Sequence, residues 1–212
     1  EEVIGRTVLE LGLWENLADR TRVLEQLRTG QPVIGLESQL RTRTGEQREM
    51  IYSAELIEIG GEPCTLGLLL DVTERKRSDA ALREAQANYR AIVENAVEGI
   101  FQTTPDGRFL TANPAMARIL GYDSPEELVA ERTDIARQGY VNSEHREAFK
   151  QLMAEHGAVF GFEYEVRRKD GTRRWVSENA RAVRDPNGTL LYYEGTMEDI
   201  TERKRAEEAR QR

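Results

Sequence analysis

Cysteine and histidine are the scarcest reactive residues in this chain of 212 residues: one Cys, at position 64, and two His, at 145 and 156. A single cysteine excludes an internal disulfide and a thiolate metal cluster. Two His and one Cys, far apart in sequence, supply neither a catalytic triad nor metal-ligand spacing, and there is no Gly-rich phosphate loop. No apolar run approaches the ~20 residues of a membrane-spanning helix, and no signal-peptide pattern opens the chain. Positive charge is in deficit. Lys and Arg number 30 against 38 Asp and Glu, a net charge of −8, which argues against a nucleic-acid partner because phosphate binding needs a basic face. Arg41, Arg43 and Arg48, and the group Arg167, Arg168, Lys169, Arg173 and Arg174, fall at strand ends with Glu nearby. They read as solvated edges that discourage sheet pairing. The expectation is a chain with no catalytic residue, no metal site, no nucleic-acid partner and no membrane contact of its own.

What the chain does have is a repeat. "DVTERKR" (Asp71 to Arg77) recurs as "DITERKR" (Asp199 to Arg205), differing only at Val72 and Ile200. An offset of 128 also places Gly195 on Gly67, and upstream an offset of 126 places Gly171 on Gly45 and the "GFE" of Gly161 to Glu163 on the "GLE" of Gly35 to Glu37. The offset changes between "IGGEP" in the first copy and "DPNGT" in the second, where turns absorb insertions at little cost. Gly99 to Pro125 has no counterpart in the first copy. The chain begins in mid-pattern without an initiator Met, so a longer parent protein is expected. The length suits one large domain or two units of about 100 residues.

Local signals define the elements of the complete copy. "GIFQTT" and "FLTA" have strand composition and flank an Asp106-Gly107 turn. Asn113 and Pro114 are a helix cap and first helical residue, Gly121 a helix end, and Ser124 and Pro125 a second start. A longer helix is expected over about Glu144 to Glu155. Three strands follow, joined by "KDG" and "DPNG" turns. In the first of them strict alternation puts Phe160, Phe162, Tyr164 and Val166 on the core face. Two strands, several helices and three strands make an α+β unit, a five-stranded antiparallel sheet with helices on one face.

"DGRFLTANPAMARILGYDSPEEL", "FEYEVRRKDGTRRWV" and "DITERKRAEEA" together resemble a PAS domain with its C-terminal PAC segment, the bacterial sensory box. "GLWENLADRTRVLEQL", "LESQLRTRTGEQRE" and "GEPCTLGLLLDVTERKR" resemble the rear portion of another. The resemblance implies a spatial strand order of 2-1-5-4-3. It implies a sensor and dimerisation module of a cytoplasmic bacterial signalling protein, upstream of an output domain such as a histidine kinase or a diguanylate cyclase. The resulting division is 1–72 for the rear of a first PAS/PAC module, 73–95 for a helical linker, 96–200 for a complete second module, and 201–212 for the start of an outgoing signalling helix.

The candidate signal joint is Asp71, Thr73, Asp199 and Thr201. Each Thr follows a strand and precedes a charged, helix-favouring run, where its hydroxyl is a good N-cap, and each Asp adds negative charge near the helix start. The resemblance makes this Asp-x-Thr string the exit joint of the module; a plain cap is the other reading. In the linker, Leu82, Ala85, Tyr89, Ile92 and Ala96 recur at 3, 4, 3, 4 spacing, a seam that points to a homodimer through linker helices. A helix packed on its own domain has the same pattern.

Phe101, Met116, Phe149, Phe162, Tyr164, Trp175, Asn179 and Tyr193 are the candidate pocket, suited to a small apolar or aromatic ligand. They also make up the core that a unit of this size needs. No cofactor is expected. His145, near a helix start, and His156, at a helix end, read as surface or capping residues rather than haem ligands. Flavin-binding relatives of the resembled family carry an asparagine-cysteine-arginine string, which is absent, and Cys64 stands at a strand start. Three classes stay open: a sensory module, a ligand-free dimerisation scaffold and, with least support, an enzyme.

Overall fold

Asn16 opens the first regular element. In the computed structural model, which describes residues 3–211, its side chain accepts a hydrogen bond from the Ala18 N–H and helix α1 (Leu17–Arg28) follows. The outermost ends of the expected spans 1–72 and 201–212, Glu1, Glu2 and Arg212, lie outside the described residues. Strands β1 (Val33–Arg41), β2 (Gln47–Ile59) and β3 (Glu62–Asp71) then form an antiparallel meander in the order β1-β2-β3. Helix α1 buries Val23 and Leu27 against Val33 and Ala54, with Trp14, Leu36 and Tyr52 packed around them. Burial of this kind contributes about 1.5–3 kcal/mol per large apolar side chain. Among the described residues strand β3 pairs only with β2, and it carries exposed Leu66, Leu68, Leu69 and Leu70.

Helix α2 spans Thr73–Asn95, so Ala96 of the expected seam falls just past its end. The chain divides into two compact units, one ending at Gln86 and the other starting at Ala87.

The second unit continues with β4 (Gly99–Thr103), β5 (Phe109–Ala112), α3 (Pro114–Leu120), α4 (Pro125–Glu131), α5 (Ile135–Gln138), α6 (Ser143–His156), β6 (Ala158–Arg167), β7 (Arg173–Arg184), β8 (Leu190–Asp199) and α7 (Thr201–Arg210). Its sheet is antiparallel throughout, in the order β5-β4-β8-β7-β6. Counted from its first strand this is 2-1-5-4-3, and the fold is α+β as expected. Caps set the helices: Asn113 accepts from the Met116 N–H, Ser124 from Glu127 and Asn142 from Glu144, while Gly121 and Gly157 end α3 and α6 in left-handed conformation. The core joins Phe101, Phe109, Met116, Leu120, Leu128, Phe149, Met153, Tyr164, Val176 and Met197.

Strict alternation fails in β6. Val159 is 4% exposed and Phe160 82% exposed, the reverse of the expected faces. Gly161, at φ +60°, sits in a register shift between Val159 and Phe162. One extra residue flips the following side chains to the other face. The Gly161 N–H donates to the Asn179 side chain at 2.8 Å. The first unit holds the same device: Gly35 at φ +67°, a shift between Val33 and Leu36, and the Gly35 N–H donating to the Ser53 hydroxyl at 3.0 Å.

Candidate functional site

The two copies of the Asp-x-Thr string build the same joint. The Val72 N–H donates to the Glu49 carbonyl, and the Ile200 N–H to the Trp175 carbonyl, each at 2.9 Å. The Thr73 N–H donates to the Asp71 carboxylate and the Thr201 N–H to Asp199, each at 2.9 Å. The threonine hydroxyls, however, are not helix caps. Thr73 Oγ1 accepts from the Glu49 N–H at 2.9 Å, and Thr201 Oγ1 from the Trp175 N–H at 3.1 Å. Both threonines are the first residue of their helix and both are buried, so the hydroxyl reaches sideways to a strand amide while the aspartate serves the helix start.

An ion pair braces each joint. Lys76 Nζ lies 2.7 Å from Glu37, and Lys204 Nζ 2.6 Å from Glu163. These are the glutamates of "GLE" and "GFE". Hydrogen bonds from Thr73, with Arg48 beside it, hold the Asp71 carboxyl below the ordinary carboxylate range. Lys204 and Arg203 do the same for Glu163. Lys204 also stands 5.3 Å above the Trp175 ring. Trp175 therefore belongs to the joint and not to the candidate pocket.

Of the candidate pocket residues, Phe101, Met116, Phe149, Phe162, Tyr164 and Tyr193 do meet in or against the core. Asn179, like Trp175, does not. The buried positions of β7 are Val176, Glu178 and Ala180, so residues 175 and 179 face the other way. Asn179 is exposed and spent on the Gly161 bulge. The polar residue inside is its neighbour, Glu178, 4% exposed. The alternation of "VSENA" carried that signal.

Glu178 accepts a short hydrogen bond from the Tyr164 O–H. The Tyr140 ring stacks on Tyr164 with centres 4.6 Å apart. The Arg146 guanidinium stands 5.7 Å from the Tyr140 ring centre and 5.4 Å from that of Phe149, and its Nε has no hydrogen-bond partner. Burial pushes the Glu178 carboxyl up to about 7, against the opposing pull of the Tyr164 hydrogen bond and the Arg146 charge. Burial, reinforced by Glu178, also raises the Tyr164 and Tyr140 phenols. Beside this group lies a cavity of about 20 Å³ lined by Phe109, Met116, Arg132, Tyr140, Tyr164 and Met197, among others. That is room for a group the size of a water. Sequence reading missed Arg146 and Arg132 because their positions carry no local sign of burial. Arg132 is 2% exposed and donates to the Gln138 carbonyl at 2.9 Å and to the Arg167 carbonyl.

On the outer face of the five-stranded sheet a polar row crosses four strands. Thr111 donates to Gln102 at 3.3 Å, Gln102 to Glu194 at 3.5 Å, and Arg181 to Glu194 at 2.9 and 2.6 Å. It floors a groove of about 640 Å³ whose apolar walls include Tyr89, Val93, Ile100 and Phe160. Asn113 does more than cap α3. It accepts from the Ile100 N–H at 2.9 Å and donates to the Val93 and Glu98 carbonyls at 3.0 Å, which ties the end of α2 to β4. Along α2, seam residues Leu82, Tyr89 and Ile92 are exposed. Among the described residues no cluster of His, Cys, Asp and Glu is arranged to hold a metal ion, and no helix is long and apolar enough to cross a membrane.

The family described as PAS fold matches residues 87–200. The chain is 27% identical to the uncharacterized protein y4lL of Sinorhizobium fredii, over 98% of this chain and 25% of that protein. It is 29% identical to the sensor histidine kinase TmoS of Ectopseudomonas mendocina, over 63% of this chain and 14% of that protein. It is 25% identical to the probable diguanylate cyclase DgcE of Escherichia coli, over 61% of this chain and 12% of that protein. The chain thus spans a quarter or less of the length of these relatives.

Proposed function

This chain belongs to the PAS fold family, and we propose that it is a sensory module of a bacterial signal-transduction protein, passing a change in its sheet to an output domain through the helix that leaves the Asp-x-Thr joint. The observation that carries the proposal is the joint itself. At Asp199 and Thr201 the start of α7 is fixed to both the last strand and β7, so a shift of β7 against β8 reaches the helix directly. The output domain, a histidine kinase or a diguanylate cyclase, lies elsewhere in the parent protein, in keeping with the sensor kinase and cyclase relatives. This module performs no chemistry of its own and works in the cytoplasm.

The first unit is the rear of a second module of the same kind. The shared glycine bulge, joint and lysine–glutamate brace support that reading. Two copies of the chain pair through the α2 seam at Leu82, Ala85, Tyr89 and Ile92. A stimulus in the form of a small apolar or aromatic ligand would enter among Phe101, Met116, Phe149, Phe162, Tyr164 and Tyr193; haem and flavin are not expected. The small interior cavity favours a second reading, a ligand-free dimerisation scaffold. Native mass spectrometry of freshly purified chain separates the two, since a stoichiometric small molecule excludes the scaffold.

Helix α2 leaves the equivalent joint at Asp71 and Thr73, and there the test of transmission is a pair of insertions after Arg83 in the parent protein. Four residues rotate the seam by roughly 40°, whereas seven keep it nearly in phase. Output activity is expected to be disturbed by four and largely retained with seven. Equal tolerance of both would reduce α2 to a passive tether.

A further inference from the structure

Glu178 occupies a position where the alternation of β7 calls for an apolar side chain. Its carboxyl receives the Tyr164 O–H from β6. Tyr140, ahead of α6, stacks on Tyr164. From α6 come Arg146, with a buried Nε that has no partner, and His145, whose ring centre is 6.4 Å from that of Tyr164 and whose Nδ1 is likewise buried without a partner. From the end of α4, Arg132 lies beside the same cavity as Tyr164. On β8 the residue opposite Glu178 is Met197, which does not titrate. One buried acid thus sits with two phenols and the Arg146 guanidinium, with His145 and Arg132 close to Tyr164, and it accepts its hydrogen bond from the Tyr164 O–H.

We propose that Glu178 is a proton-operated switch: it exchanges one proton with solvent, its ionised form is balanced by Arg146 across the two stacked tyrosines, and its state is conveyed along β7 to Trp175 and the exit joint. The inference rests on the sensory reading above and adds a proton as a stimulus beside the small ligand named there. Burial disfavours the carboxylate, so the two forms are close in free energy near neutral pH. In the ionised form the carboxylate accepts the Tyr164 O–H and attracts the Arg146 guanidinium. In the neutral form Arg146 loses the one buried counter-charge among the described residues, and its guanidinium favours a path toward water that loosens α6 against the sheet. Trp175 is on the same strand, three residues from Glu178. Its N–H and C=O are both committed to the start of α7, and its ring lies under Lys204. Movement of β7 therefore changes the surroundings of that indole.

The experiment uses the full chain with Trp14→Phe, which leaves Trp175 as the sole tryptophan. Its fluorescence is followed from about pH 5 to about pH 9 while the Glu178 carboxyl is followed by carbon NMR. The expected result is one transition near pH 7 in both signals. Glu178→Gln abolishes the fluorescence transition. Tyr164→Phe removes the donor to the carboxylate and moves the midpoint upward, which keeps the test sharp if Glu178→Gln does not fold. His145→Gln leaves the transition in place. Persistence in Glu178→Gln, or loss in His145→Gln, overturns the proposal and assigns the proton elsewhere. A titrating Glu178 with a flat Trp175 signal also overturns it. That outcome leaves the sensory reading standing, since the insertion pair tests transmission independently of any proton.

Discussion

The Thr201 hydroxyl accepts the backbone N–H of Trp175 at 3.1 Å, tying the first turn of the outgoing helix to the strand next to the one it leaves. Thr73 makes the equivalent bond to the Glu49 N–H at 2.9 Å. Both hydroxyls are buried. Thr201→Val keeps the shape and leaves a strand amide without a partner, which costs about 1–3 kcal/mol. Thr201→Ser is expected to recover most of that. Urea denaturation gives the cost, and faster amide exchange at Trp175 in the valine variant alone identifies the bond responsible.

Glu178 makes folding stability depend on pH in a defined direction. Its folded value, raised to about 7, lies above the ordinary 4.5, so its contribution is fully present below about pH 4.5 and is lost as pH rises through about 7. For this group alone the loss amounts to about 3 kcal/mol between those limits. Glu178→Gln is expected to flatten that part of the profile. Urea midpoints of the parent chain and the variant, compared at pH values on either side of the window, check it. A parent chain that gains stability relative to the variant as pH rises would have the opposite sign.

Gly195 has no room for a side chain. A Cβ there would press on the Asn179 carbonyl, come within 2.9 Å of the Ala180 Cα and within 3.0 Å of the Phe101 ring. The first two are strand backbone and cannot yield without breaking the ladder. At its counterpart in the first unit, Gly67, the nearest atoms belong to the Tyr52 side chain, at 3.3 Å. Gly195→Ala is expected to destabilise by about 1–3 kcal/mol or more, in the range of overpacked cores, and Gly67→Ala by less. Thermal melts of the two variants decide the order.

The proposed pairing through the α2 seam can be tested separately from folding. Leu82, Tyr89 and Ile92 are 58, 71 and 70% exposed. Replacing Tyr89 and Ile92 together by Glu is expected to convert a dimer to a monomer in sedimentation, while the urea midpoint at matched low concentration changes by no more than about 0.5 kcal/mol equivalent. A large fall in the midpoint with unchanged sedimentation would show instead that the seam packs within one chain.

Turns and caps were legible in the linear sequence because they are made within a few residues. Asn113-Pro114, Gly121, Ser124-Pro125 and the Asp106-Gly107 turn specify backbone conformations locally, and each stands where those residues indicate. With the order of elements they were enough for the α+β sheet, and the doubled Asp-x-Thr string located both joints. What the threonine hydroxyls do there was not legible, because their partners are amides of strands 24 and 26 residues away. The Gly161 bulge needs a partner strand to define it, so alternation alone assigned Phe160 to the core, and the bond from the Gly161 N–H that occupies Asn179 could not be foreseen. Glu178 could be placed inside by counting along β7. Its meeting with Tyr164, Tyr140 and Arg146 depended on β6 lying beside β7 and α6 crossing above. Only the assembled sheet brings those groups together, and only there does burial give the carboxyl its altered chemistry.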